Sequence, residues 1–168
     1  GKENSNILVL ANKVPLIDIF KDYKIKCNEH NRKIVCPFLD HPERTGSFLF
    51  YPETNSFFCF GCKAGAHPVN FVAKYENLTN KAAAELILKK FKNFTFESEE
   101  IFDNFNLVLT LSESILNFRK TFQSKKSNSF IEELSKAYDD ISKQYNLSQA
   151  AQESLIEKLK NRIKDYVE

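Results

Sequence analysis

Methionine occurs nowhere in the 168 residues, not even at position 1. Gly1 therefore reads as the remnant of a removed tag, and the chain as a piece of a longer protein. No apolar run approaches the roughly 20 residues that a membrane-spanning helix needs. The amino-terminal stretch GKENSNILVLANK has too short an apolar run for a secretory signal, whose apolar region takes roughly 7–15 residues. Together these absences predict a soluble, cytoplasmic protein without a membrane partner. Internal repeats and low-complexity tracts are missing as well, which excludes a solenoid. A strong net charge is also missing, since the total is only +2.

What is present suits a folded chain. Apolar residues make up 42%, enough to build a core. The length fits one domain, or one small domain with an appendage. Charge is unevenly spread. Residues 1–92 hold 14 Lys/Arg against 9 Asp/Glu, a surplus of +5, whereas residues 93–112 hold Glu97, Glu99, Glu100 and Asp103 and no base. A mildly basic front half is compatible with a phosphate-bearing partner.

The four cysteines point to metal rather than to disulfides in a cytoplasmic setting. Three of them lie in residues 36–62, CPFLDHPERTGSFLFYPETNSFFCFGC. Cys59 and Cys62 form a C-x2-C pair, and Gly61 between them permits the tight turn. A structural zinc takes four ligands in a tetrahedron, usually as two short-range pairs brought together by the fold. Cys36 with His41, at C-x4-H, supplies a second pair, giving a Cys3His site of one structural zinc. His67 and His30 are the rival fourth ligands. Cys27 alternates with Ile25, has no partner at ligand spacing, and reads as a small buried hydrophobe.

The periodicities predict a short helix over residues 12–23, with Pro15 in its first turn, then strands over 24–28 and 33–36. Residues 46–51 and 55–60 predict a hairpin joined around Pro52-Glu53-Thr54. Its phenylalanines either build the core or stack unpaired bases, and the alternation of strand side chains predicts a split between faces. Helices are expected over 68–76 and over 80–92, the latter capped by Thr79. Residues 96–106 read as an irregular acidic linker. Beyond it, residues 107–168 predict a three-helix extension, with a break over 123–128, a capping box at Ser129–Glu132 and a cap at Ser148. The fold class is α+β: a domain over residues 1–95 with a small antiparallel zinc-ribbon sheet and flanking helices, then an all-α extension.

Over residues 12–92 the chain resembles the amino-terminal zinc-binding domain of bacterial and phage DNA primases of the DnaG type. That family's pattern runs C-P-F-H, a basic residue, T-P-S-F, a hairpin, H-C-F-G-C-G-x-G-G, a helix and Y-E-G-L-S. The matching residues are Cys36-Pro37-Phe38, His41, Arg44-Thr45-Gly46-Ser47-Phe48, Phe58-Cys59-Phe60-Gly61-Cys62-Lys63-Ala64-Gly65 and Lys74-Tyr75-Glu76-Asn77-Leu78-Thr79. Two residues are inserted before His41, after which the family's spacing to Cys59 returns; this favours His41 as the ligand. Gly46 replaces the proline of T-P-S-F.

The resemblance implies a module that binds single-stranded DNA template and supports primer synthesis in DNA replication. It would act with a polymerase domain in cis or in trans. Arg32, Lys33, Arg44 and Lys63 suit phosphates, and Phe48, Phe50 and Phe58 on the ribbon suit stacking on bases. The carboxylate cluster that nucleotidyl transfer needs to hold divalent metal is not found in this chain, so no catalytic residue is assigned. The helices after Leu107 are expected to dock the polymerase, a helicase or another replication protein. The alternative is a stand-alone adaptor, in which ribbon and helices serve protein–protein interaction.

Overall fold

The computed structural model describes residues 2–38, 46–91, 99–143 and 148–168. These fall into two compact units, Gly1–Thr95 and Phe96–Glu168. Among the described residues no helix is long and apolar enough to cross a membrane.

The first unit opens with helix α1, Lys2–Ala11. The helix predicted over residues 12–23 begins later, as α2, Leu16–Asp22, with Pro15 extended at its head (φ −61°, ψ 132°). Proline disfavours a helical residue before it, so the chain breaks between α1 and α2. The break is held from a distance. The Asn55 side chain accepts from Leu16 N at 2.7 Å and donates to Val14 O at 3.0 Å, while Asn12 Oδ1 accepts from Val69 N at 2.9 Å. Residues 24–28 do not form the predicted strand. Lys24 turns left-handed (φ 59°) and Ile25 N bonds back to Phe20 O at 2.8 Å. This closes α2 with a Schellman-type cap instead.

Four short strands follow among the described residues: β1, Lys33–Ile34; β2, Phe48–Tyr51; β3, Ser56–Cys59; and β4, Gly65–Ala66. They form one antiparallel sheet in the order β1-β2-β3-β4. The β2–β3 hairpin turns through Pro52–Thr54 and a left-handed Asn55. The register places Ile34, Phe48 and Cys59 in one row, and Lys33, Leu49, Phe58 and Gly65 in the next. Successive rows face opposite ways. The face of Phe48, Phe50 and Phe57 is the core, where Phe20 meets Phe50 at 5.2 Å and Phe48 at 6.1 Å, and Phe71 meets Phe57 at 5.4 Å, between ring centroids.

Helix α3, Pro68–Glu76, covers this core with Val69, Phe71 and Val72. Its end is left-handed at Asn77 (φ 55°), with Leu78 N bonding to Ala73 O at 2.8 Å. Helix α4, Asn80–Lys90, starts at Thr79, whose hydroxyl accepts from Ala82 N as predicted. Small Ala83 and Ala84 sit fully buried on its inner side.

Among its described residues the second unit has three helices: α5, Glu99–Thr121; α6, Lys125–Lys143; and α7, Gln149–Lys164. Its core is Val108, Leu111, Ile115, Leu134, Tyr138, Ile141 and Ile156. The segment 99–106, expected to be irregular, is the start of α5. Phe102 and Phe105 fall at helical spacing with Leu109, so the apolar stripe of the helix begins inside the segment read as a linker. Helix α6 likewise starts four residues before the predicted capping box. Ser124 and Ser127 cap it reciprocally, each hydroxyl accepting from the other's backbone N–H at 2.8 and 3.0 Å.

Candidate metal centre

The hairpin register carries Cys59 to the end of β3, opposite Phe48 and one strand from Ile34. Two residues beyond Ile34, Cys36 leaves the sheet on the same side. Gly61 then turns the chain so that Cys62 comes back towards both. The three Sγ atoms lie within 4.8 Å of one another. None of the four cysteines of the chain is in a disulfide. In a tetrahedral zinc–thiolate site the sulfurs stand about 3.8 Å apart, given Zn–S bonds of about 2.3 Å. The cluster therefore fits zinc both in donor chemistry and in spacing.

Backbone N–H groups converge on the sulfurs in a repeated manner. Phe38 N–H bonds Cys36, Gly61 and Cys62 N–H bond Cys59, and Ala64 N–H bonds Cys62. Each sulfur thus receives a donor from two residues further on, and such donors stabilise negative charge on sulfur. Burial pushes the thiols of Cys36 and Cys62 up. At Cys59 burial also pushes up, but the N–H of Cys62, the Ser47 hydroxyl and the N–H of Gly61 outweigh it and bring the thiol down to about 7. Lys63 makes the return turn in a left-handed conformation (φ 64°), with its N–H on Cys59 O at 2.8 Å.

Of the predicted ligands, Cys36, Cys59 and Cys62 are brought together, and His41 lies outside the described residues. The rivals do not join the cluster. His30 is exposed in a turn, and His67 is buried at the head of α3, where its N–H bonds Asn70 Oδ1 at 3.0 Å. Cys27 is buried, as expected, and stands apart from the other three; burial pushes its thiol up to about 11.

The residues predicted to touch nucleic acid are scattered. Phe48 and Phe50 are 0% and 2% exposed in the core, and Phe58 is 3% exposed on the other face. None of the three presents a ring to a base, which corrects the stacking expectation for them. The core needs the rings of Phe48 and Phe50, because a sheet this small has few other apolar residues to bury, and Phe58 is covered on its own face, where Phe60 packs on it. Arg32 is engaged by Glu53 at 2.6 Å and by Glu29 O at 2.9 Å. Lys33 and Lys63 are exposed, and Arg44 lies outside the described residues. Phe60, not predicted as a contact, is half-buried over Phe58 with rings 4.7 Å apart, and Lys63 Nζ lies 5.9 Å from its centroid. The signal was available, since Phe60 stands two residues after Phe58 and so takes its face.

A family model described as CHC2 zinc finger, of the DnaG zinc-ribbon type, matches residues 2–103. Three relatives are similar. The DNA primase of Aquifex aeolicus is 28% identical over 143 residues, 81% of this chain. That of Pseudomonas putida is 34% identical over 77 residues, 45% of this chain. That of Listeria monocytogenes is 36% identical over 71 residues, 42% of this chain. The chain spans only 28%, 11% and 11% of these relatives' lengths. The crystal structure of the zinc-binding and RNA polymerase domains of the Aquifex aeolicus primase aligns with 97% of this chain and 42% of its own, at 21% identity and a TM-score of 0.46.

Proposed function

Because the chain belongs to the CHC2 zinc-finger family of DnaG-type DNA primases, we propose that it is the template-binding zinc module of a primase. In this reading it holds single-stranded DNA for primer synthesis by a polymerase domain, in cis or in trans. The observation that carries the reading is the Cys36–Cys59–Cys62 cluster with its converging N–H donors, inside the family match. Cys36, Cys59, Cys62 and, as proposed fourth ligand, His41 hold one zinc. When bound, the ion joins the exit of β1 to the end of β3 and has a structural role.

The nucleic-acid face is proposed to be the outer side of the sheet. Lys33 lies at one end of the row that runs through Leu49 and Phe58 to Gly65. Phe60 and Lys63 stand at the other end. A half-buried ring beside Lys63, with Lys33 across the sheet, suits a single strand, whose bases stack while its phosphates are neutralised. Arg44, from the segment carrying His41, is proposed as a further phosphate contact.

Fluorescence anisotropy with a labelled single-stranded oligonucleotide tests this. Binding should weaken as salt rises, and Lys33→Ala and Lys63→Ala should each flatten the dependence on log[salt] by about 1. Phe60→Ala should weaken binding while one equivalent of zinc is retained, and His41→Ala should lose the zinc. Absence of binding at low salt, with zinc in place, would remove the template-binding role and leave the metal assignment standing.

A further inference from the structure

We propose that Ser47 is a positioning residue of the metal centre: its hydroxyl donates a hydrogen bond to Cys59 Sγ and so retains the metal. The proposal rests on the zinc reading of the cluster. Ser47 Oγ and Cys59 Sγ are 3.6 Å apart, within reach of a bond to sulfur, and in the free thiol either atom can be the donor. A metal-bound thiolate carries no proton. In the loaded protein the direction is therefore settled, from the hydroxyl to the sulfur.

The fold fixes both partners. Ser47 leads into β2, and its carbonyl accepts from Phe60 N at 2.8 Å. The residue after Cys59 is thus tied to the residue before Phe48, and Phe48 pairs with Cys59. The hydroxyl is delivered to the sulfur by the sheet register rather than by a loop.

Cys59 is where such a donor matters most. It is 0% exposed, against 8% for Cys36, while Cys62 is half-buried. Water cannot solvate a thiolate so placed, so the protein must supply donors. The N–H groups of Gly61 and Cys62 supply two, and Ser47 adds a side-chain donor. Backbone donors survive every substitution but proline, whereas this hydroxyl can be removed without touching a ligand. Outer-shell donors of this kind typically change metal affinity by about 10–100-fold.

The test uses the whole chain as wild type, Ser47→Ala, Ser47→Thr and Ser47→Val, loaded with zinc or with cobalt(II). Zinc transfer to a chromophoric chelator reads retention, and the thiolate-to-cobalt charge-transfer band reads the electron density on sulfur. Ser47→Ala should bind one equivalent of metal, release it about tenfold faster, and shift the band to lower energy. Ser47→Thr should stay near wild type, and Ser47→Val, of the same shape without the hydroxyl, should follow the alanine variant. Should Ser47→Ala fail to fold, the threonine–valine difference reads the same effect. Equal release rates and bands across the hydroxyl and non-hydroxyl variants would overturn the proposal. A wild type that takes up neither metal would overturn the zinc reading, and this proposal with it.

Discussion

His67 is 3% exposed at the head of α3, and burial holds its imidazole down to about 4, against an ordinary 6.5. An unfolded chain takes up this proton near pH 6.5, whereas the folded chain resists until near pH 4. Through that window the unfolded state binds more protons, so stability falls as pH falls. The contribution is complete above pH 6.5 and amounts to on the order of 3 kcal/mol, at 1.36 kcal/mol per unit. Urea denaturation of His67→Gln should lose this part of the pH dependence, while any part due to the thiols remains in both proteins. Parallel pH profiles for the two proteins would contradict the assignment. Other residues show what spacing alone can reveal. The ligand cysteines were legible because a knuckle needs its C-x2-C spacing. The role of the phenylalanines was not, because alternation tells which residues share a face but not which face is covered. Lys63 and Asn77 stand where the family pattern has glycine, and both keep the left-handed backbone a glycine would take, at φ 64° and 55°. Their side chains hid two turns that the backbone retains.

At the scale of elements, strong local signals were read well. The hairpin, α3 and the caps at Thr79 and Ser148 all rest on short-range chemistry. Elements that depend on distant partners were missed. Strand β4 is two residues long and exists only through its pairing with β3, so no pattern within it announces a strand, whereas β1, expected over 33–36, forms but is confined to Lys33–Ile34. The break between α1 and α2 is likewise held by Asn55, 39 residues from Leu16. Strand β4 also carries a steric requirement. A Cβ on Gly65 would meet Phe58 Cδ2 at 2.7 Å and Phe57 O at 3.0 Å. Gly65→Ala must therefore push β4 from β3 or displace the Phe58 ring, at a cost of about 1–3 kcal/mol. Urea denaturation of the zinc-loaded variant should show a midpoint lowered accordingly. An unchanged midpoint would mean that Phe58 yields freely.

On the scale of the whole molecule, every cysteine and histidine lies in the unit Gly1–Thr95, and the unit Phe96–Glu168 has a core of its own. Metal binding to a small domain contributes directly to its folding. Removing zinc with a strong chelator should therefore act on one unit alone. Hydrogen exchange followed by mass spectrometry should show the amides of β2 and β3 losing protection, while those of α5 and α6 keep theirs. Loss of protection in α5 and α6 on chelation would refute this independence. The sheet's outline has a consequence for crowded solutions. An exposed strand edge is a template on which another chain can add a strand. Both edges of this sheet are the two-residue strands β1 and β4, too short to seed a ladder between molecules. A domain rich in buried phenylalanine is thereby shielded, by the brevity of its own borders, from joining its neighbours into aggregates.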